Sequence, residues 1–127
     1  MILVDSDILI AHLRGVEAAR DWLLDQVDSS GLAISVLTVT EISGGMPSSE
    51  RTQVWRLLAG LPHEPVTDAI ARRAGDLRRG WHRSHGGIGT VDYLIAATAL
   101  ELGYDLATLN VKHYPMIDYL VPAFALA

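Results

Sequence analysis

The stretch ILVDSDILIAH, residues 2–12, joins an apolar run to two carboxylates and then to a second apolar run. The first run is typical of a short buried strand, here residues 2–5, and the second of a helix over residues 7–14. In open α/β sheets, ligands bind beyond the carboxyl ends of the strands. The stretch therefore predicts a core strand that holds Asp5 rigidly at the functional edge of a sheet.

The rest of the chain repeats this alternation of strands and helices. Further strands are expected at residues 32–36 and 105–109, about two strand residues between Pro62 and Pro65, and a short edge strand at 119–123. Helices are expected at 17–27, 38–45, 49–61, 67–82 and 90–102. Strands that alternate with helices pair in parallel and are covered on both faces. We therefore expect one domain, residues 1–127, with a three-layer α/β/α fold around a mainly parallel sheet.

The composition narrows the class of protein. Half of the residues are apolar and a fifth are charged, as in globular domains. The absence of cysteine excludes a disulfide framework and a Cys-ligated zinc site. A net charge of −5 argues against a protein that coats nucleic acid through bulk positive charge. The first residues lack a signal-peptide pattern and no segment approaches the roughly 20 apolar residues of a membrane span, so we expect a soluble, cytoplasmic protein.

Three acids follow buried segments at comparable points: Asp5, Glu41 and Asp92. Each also has a purely structural explanation. The first suits a helix cap, the second matches a capping box that begins at Thr38, and the third suits a first helical turn capped by Thr90. Three carboxylates at one edge of a sheet would repel one another, whereas a bound cation makes their convergence favourable. Oxygen ligands suit Mg²⁺ or Mn²⁺, which activate water and stabilise charge on a phosphate.

These segments together resemble a known family. VDSDILI with Asp5, SVLTVTEI with Glu41, and TVDYLIAATALELGYDLATLNVKHY with Asp92 are similar to the PIN domain, and more narrowly to the VapC toxins of toxin–antitoxin pairs. The resemblance covers nearly the whole chain. It implies a metal-dependent endoribonuclease in which these three acids bind Mg²⁺ or Mn²⁺ and activated water cleaves RNA, leaving 5′-phosphate and 3′-hydroxyl ends. A fourth site position, often Asp in the family, is Asn110 here, which implies a weaker or single-ion site.

The resemblance also implies partners. VapC proteins pair with a small VapB-like antitoxin that wraps the toxin groove, form homodimers, and meet DNA only through the antitoxin. Ser6 and Thr108 match hydroxyl residues that commonly flank the metal cluster, and they equally suit turn and strand hydrogen bonds. Asp7 departs from the uncharged residue of many relatives, and we interpret it mainly as an exposed first-turn residue, with an acid that supports the metal ligands as the alternative.

A basic stretch and two histidines have open interpretations. Either the stretch is the solvated face of an amphipathic helix, or it binds the RNA backbone or an acidic antitoxin tail. Its members are Arg72, Arg73, Arg78, Arg79 and Arg83. His113 is interpreted mainly as a loop residue, with phosphate contact or proton transfer as the alternative, and His12 as structural.

Two rival functions remain open from the sequence. Asn110 is compatible with a degenerate PIN domain that binds RNA or a protein without catalysis. Asp5-Ser6-Asp7 also fits the D-x-D of haloacid-dehalogenase-type phosphatases, where the first Asp is a nucleophile. Those enzymes need a later lysine and an acidic metal pair, and the single lysine, Lys112, is followed by no such pair.

Overall fold

The computed structural model describes residues 1–126. Its strands are β1 (Ile2–Val4), β2 (Leu32–Ser35), β3 (His63–Glu64) and β4 (Asp105–Ala107). Its α-helices are α1 (Ser6–Leu13), α2 (Glu17–Ser29), α3 (Val36–Gly45), α4 (Arg51–Ala59), α5 (Asp68–Trp81) and α6 (Thr90–Leu102). Short 3-10 helices cover Ser48–Glu50 and Val111–His113.

The four strands form one parallel sheet in the order β3-β2-β1-β4. The first strand of the chain is therefore central, with the last strand beside it. Val4 pairs with Ala107, and the Asp5 backbone N–H donates to the Ala107 carbonyl at 2.9 Å. This register brings the residues that follow β1 and β4 to the same edge of the sheet, and it confirms the expected parallel α/β fold.

Alternation along the strands divides the core between two helical layers. Val4 and Ile34 face a cluster that includes Ile8, Leu9 and Leu58 of α1 and α4. On the other face of β1 and β4, the side chains pack against Ile95, Ala96 and Ala99 of α6, and α5 covers α6 in turn through a third cluster. The strand residues on that face are Leu3 and Leu106. The sheet is thus enclosed on both faces, as a three-layer fold requires.

Two helix starts differ from their predicted caps. Ser35, not Thr38, caps α3, since its hydroxyl accepts the Leu37 backbone N–H at 3.1 Å, and Thr38 is buried one turn inside the helix. The helix α6 starts one residue earlier than a Thr90 cap would place it, because Gly89 is the cap residue. Both helices are present, but the predicted cap lies three positions too late in α3 and one position too late in α6.

The predicted edge strand at residues 119–123 is absent from the described chain. Pro122 has no backbone N–H to donate, and the segment makes one strand-like contact, from the Ala123 N–H to the Thr108 carbonyl at 3.0 Å. No helix among residues 1–126 has the length and apolar character needed to span a bilayer.

Candidate active site

Asp5 stands at the carboxyl end of β1 and caps α1. Its Oδ1 accepts the Ser6 backbone N–H at 2.9 Å, and the residue is 9% exposed. Its other oxygen, Oδ2, accepts hydrogen bonds from the hydroxyls of Thr108 at 2.9 Å and Tyr114 at 2.8 Å. The structural explanation as a helix cap therefore holds, and it coexists with a buried position at the sheet edge.

Thr108 follows β4 and is fully buried. Its hydroxyl also lies 3.1 Å from Asp7 Oδ2, and it accepts the backbone N–H of Asn110 at 3.1 Å. Because a hydroxyl has one proton, it donates to Asp5 or to Asp7 at any moment. Thr108 thus bonds the site carboxylates as well as its own turn, which favours the site interpretation of this residue.

Asp92 lies in the first turn of α6, next to His113 and Tyr114. Its Oδ2 accepts the Gly89 backbone N–H at 3.2 Å and lies 3.2 Å from His113 Nδ1. Its Oδ1 lies 3.4 Å from the Tyr114 hydroxyl, the group that bonds Asp5. One tyrosine hydroxyl therefore stands between the two acids that the sequence predicts as metal ligands.

Asn110 and His113 border Asp92 rather than the centre of the cluster. The Asn110 side-chain amide lies 3.0 Å from His113 Nδ1, the same nitrogen that faces Asp92. A ring nitrogen either donates or accepts, so it serves one of these two neighbours at a time. His113, which we interpreted mainly as a loop residue, is thus in contact with a candidate ligand.

Glu41 extends into the same edge from α3. Its side chain is more exposed than those of the two aspartates. Partial burial, followed by the negative charges of Asp5 and Asp92, raises the pKa of Glu41, while the Ser6 hydroxyl acts in the opposite direction. The three predicted acids therefore lie within one electrostatic neighbourhood.

Asp7 is not the exposed first-turn residue that we expected. It is half-buried, and its Oδ2 accepts the Leu109 backbone N–H at 2.9 Å in addition to the Thr108 contact. Its Oδ1 is buried without a hydrogen-bond partner among the described residues. Burial, then the charge of Asp5, raises the pKa of Asp7. The interpretation was wrong because Thr108 and Leu109, which follow β4 and are distant in sequence, contact the first turn of α1.

The residues present fit a divalent cation of the Mg²⁺ type. Within residues 1–126, no three Asp, Glu or His side chains are grouped closely enough to enclose an ion by themselves. Mg²⁺ needs fewer, because it keeps several waters and takes one or two carboxylates together with substrate phosphates. Burial first, and then the negative charge of neighbouring aspartates, raises the pKa of Glu41 and of Asp7, and a cation would relieve the repulsion between these carboxylates. The roles of the individual ligands stay a prediction.

A cleft of about 340 Å³ opens beside this edge, between α1, α3 and the start of α4. Glu41 and Arg14 line it, and neither Asp5 nor Asp92 does. Glu41 therefore connects the cluster of aspartates with the cleft. His12 lies elsewhere, in a separate apolar cleft between α1, α2 and α4.

The basic stretch on α5 divides into two parts. Arg72 pairs with Asp68 at 2.6 Å and Arg73 pairs with Glu101 of α6 at 2.9 Å, so these two charges are neutralised by neighbours. Among the residues described, the other three arginines are exposed and have no ion-pair partner: Arg78, Arg79 and Arg83. Sequence position alone did not distinguish these two groups.

The relative direction of α5 and α6 shows where the three unpaired arginines lie. Because Arg73 meets the end of α6, the two helices run antiparallel, and the end of α5 lies beside the start of α6. Trp81 and Tyr93 share a cluster there. The three unpaired arginines are therefore at the end of the molecule that carries Asp92.

Comparison with known proteins identifies the family. Residues 2–114 match the family model described as "PIN domain". The chain is 59% identical over 125 residues to "Ribonuclease VapC10" of Mycobacterium tuberculosis (strain ATCC 25618 / H37Rv), covering 98% of this chain and 94% of the relative. It is 39% identical to "Ribonuclease VapC19" of the same strain, with 98% and 100% of the two chains covered.

A solved structure agrees with these sequence relatives. A chain of the "Toxin-antitoxin complex from Klebsiella pneumoniae" superimposes with a TM-score of 0.80 at 26% identity, covering 98% of both chains. The parallel sheet, the acids at its carboxyl edge and the sequence relatives lead to one conclusion: this chain belongs to the PIN-domain family and is of the VapC type.

Proposed function

We propose that this protein is a Mg²⁺- or Mn²⁺-dependent endoribonuclease toxin that a VapB-like antitoxin neutralises. The observation that carries the proposal is the meeting of Asp5 and Asp92 around one buried hydroxyl at the carboxyl edge of the sheet. The relatives named ribonucleases VapC10 and VapC19 support the reaction class. The Klebsiella structure, by its title a toxin–antitoxin complex, supports the kind of partner.

The proposed mechanism assigns separate tasks to the site residues. Asp5 and Asp92 would hold the cation, with Glu41 as a further carboxylate at the mouth of the cleft. When bound, the cation supplies activation of water and stabilisation of charge on the phosphodiester. His113 would orient Asp92 through its Nδ1, and Asn110, which contacts the same ring nitrogen, would act through His113. No side chain of this set has to act as a covalent nucleophile, which fits a site made of carboxylates.

The unpaired arginines would bind the RNA backbone. Phosphate contacts give sequence-independent affinity, and each contact adds to the salt dependence of binding. Replacing the unpaired group by alanine should weaken RNA binding and flatten its dependence on salt, whereas replacing the ion-paired group should change the salt slope little. The two variants are R78A/R79A/R83A and R72A/R73A. Equal salt slopes for the two variants would contradict this assignment.

Apolar surface on α2 supports a protein partner. Leu24 and Val27 are 59% and 47% exposed, and they line the apolar cleft beside α1 and α4. An antitoxin segment that covers this surface would bury it from water. Co-purification of the toxin with its co-expressed antitoxin, lost in Leu24→Asp, would support this contact. Light scattering of the purified toxin would test the proposed homodimer separately.

The main experiment measures cleavage of total cellular RNA with Mg²⁺, with Mn²⁺ or with EDTA. We expect discrete fragments that need the metal and disappear in Asp5→Asn and Asp92→Asn. Asp105→Asn is the matched control, because Asp105 is an exposed acid at the opposite, amino end of β4. Intact RNA in every lane with folded wild-type protein, or full cleavage by either site variant, would refute the proposal.

A further inference from the structure

We propose that Tyr114 is a positioning residue that orients Asp5 and Asp92 for metal binding. This inference rests on the proposed function and goes beyond it, since none of the predicted site residues is Tyr114. The side chain is 1% exposed and packs against Leu3, Ile95 and Leu106, in the cluster between the sheet and α6.

Packing fixes where the hydroxyl lies. The ring is held between β1, β4 and α6, which are the elements that carry the two aspartates and Thr108. Its hydroxyl donates to Asp5 Oδ2 at 2.8 Å and stands 3.4 Å from Asp92 Oδ1. A phenol between two carboxylates remains a donor, because it has one proton and both neighbours are acceptors. Tyr114 therefore joins two acids that are 87 positions apart in the chain.

The hydrogen-bond acceptor sites of Asp5 show what the Tyr114 hydroxyl does. An ionised carboxylate has about four acceptor sites. Three face a donor: the Ser6 backbone N–H on Oδ1, and on Oδ2 the Tyr114 hydroxyl and the Thr108 hydroxyl, which is shared with Asp7. One site on Oδ1 is left for a cation, and the three donors fix its direction. Without the tyrosine hydroxyl, only the Ser6 N–H and the shared Thr108 hydroxyl hold Asp5, and its repulsion of Asp92 is less well compensated.

The structure offers a matched control for this residue. Tyr93 is also 1% exposed and buried against helical neighbours, but its hydroxyl has no hydrogen-bond partner among the described residues. Tyr114→Phe and Tyr93→Phe each remove one oxygen from a buried ring. Any general effect of removing a buried phenol oxygen is therefore common to both variants, and the positioning effect belongs to Tyr114→Phe alone.

The experiment measures Mn²⁺ affinity by electron paramagnetic resonance, together with RNA cleavage at saturating metal. We expect Tyr114→Phe to weaken Mn²⁺ binding by about tenfold and to slow cleavage at saturating metal by about tenfold, with Tyr93→Phe like wild type. In the Asp5→Asn background, adding Tyr114→Phe should have a smaller effect on Mn²⁺ affinity than in wild type, because only the longer contact with Asp92 remains intact to be lost. A merely structural tyrosine would change thermal stability and leave Mn²⁺ affinity unchanged.

A second measurement covers the case of a variant that does not fold. Wild-type protein labelled with ¹³C at the tyrosine ring carbon that bears the hydroxyl is titrated with Mg²⁺, and the resonance of Tyr114 should shift while that of Tyr93 stays. Unchanged Mn²⁺ affinity in folded Tyr114→Phe, or a Tyr114 resonance that does not respond to Mg²⁺ in a metal-binding wild type, overturns the inference alone. A wild type that binds no Mn²⁺ and cleaves no RNA overturns the proposed function and this inference with it.

Discussion

Replacing Thr108 by valine tests whether the hydrogen bonds at the sheet edge stabilise the fold. Valine has nearly the same shape as threonine, so the fully buried site keeps its packing and loses its hydroxyl. Asp5 then loses one of three donors, and the Asn110 backbone N–H loses its acceptor. We therefore expect thermodynamic destabilisation without a cavity.

The magnitude follows from these contacts. A hydrogen bond to a charged group contributes about 1.5–3 kcal/mol, and a buried donor left without a partner costs about 1–3 kcal/mol. Because the freed groups relax and take up water in part, we expect a loss of about 3 kcal/mol in the free energy of unfolding. A domain of this size has about 5–15 kcal/mol in total, so Thr108→Val should be markedly destabilised.

The assay is urea denaturation at neutral pH with EDTA, comparing midpoints at an unchanged m-value. Thr38→Val is the matched control. Thr38 is equally buried, but its hydroxyl has no partner among the described residues, so the same substitution there should be neutral or stabilising. A loss in Thr108→Val no larger than in Thr38→Val would refute the reasoning.

Three further predictions concern charge, metal and backbone. Burial, then the charge of Asp5, raises the pKa of Asp7 above 3.8 in the folded state, so the folded state binds more protons than the unfolded state. The free energy of unfolding should therefore fall as the pH rises from 3.8 to the pKa of Asp7 in the folded state. Asp7→Asn should flatten this fall in a urea series without metal, and an unchanged slope would contradict it. Mn²⁺ at 100 times its dissociation constant should stabilise wild type by about 2.7 kcal/mol and so raise its melting temperature. It should not do so in Asp92→Asn, and equal shifts of the melting temperature in both proteins would argue against the ligand assignment. Gly103 ends α6 at φ 68°, so Gly103→Ala should cost about 1 kcal/mol in chemical denaturation, and Gly75→Ala inside α5, an open position with ordinary φ, should not.

The helices and the central strands were predictable because their signals are local. The apolar helix at 90–102 matches α6 at both ends, since Gly103 adopts the left-handed conformation that ends it. The helix expected at 67–82 matches α5 to within one residue at each end, and Thr67 is its cap, since its hydroxyl accepts the Ile70 N–H. Hydrophobic periodicity and capping act over a few residues, and so they can be read in one sequence.

The environment of single site residues was less predictable, because it depends on register. The pairing of β1 with β4 brings Thr108 and Leu109, the two residues after β4, into contact with Asp7, and no local pattern reveals which residues lie opposite it. Tyr114 was missed for the same reason, although a Tyr four residues after Asn110 is visible in the sequence. The division of the arginines likewise depends on Glu101, in another helix.

The place of β1 between β2 and β4 has a consequence for synthesis of the protein on the ribosome. Asp5 is translated 103 positions before Thr108 and 109 positions before Tyr114, the two residues whose hydroxyls contact it. Until β4 arrives, one side of β1 is an unpaired apolar edge, the kind of surface that invites aggregation or capture by another strand. A ribosome stalled before residue 105 therefore carries a chain without an assembled site. The arrangement delays assembly of the surroundings of Asp5 until β4, Thr108 and Tyr114 have been translated.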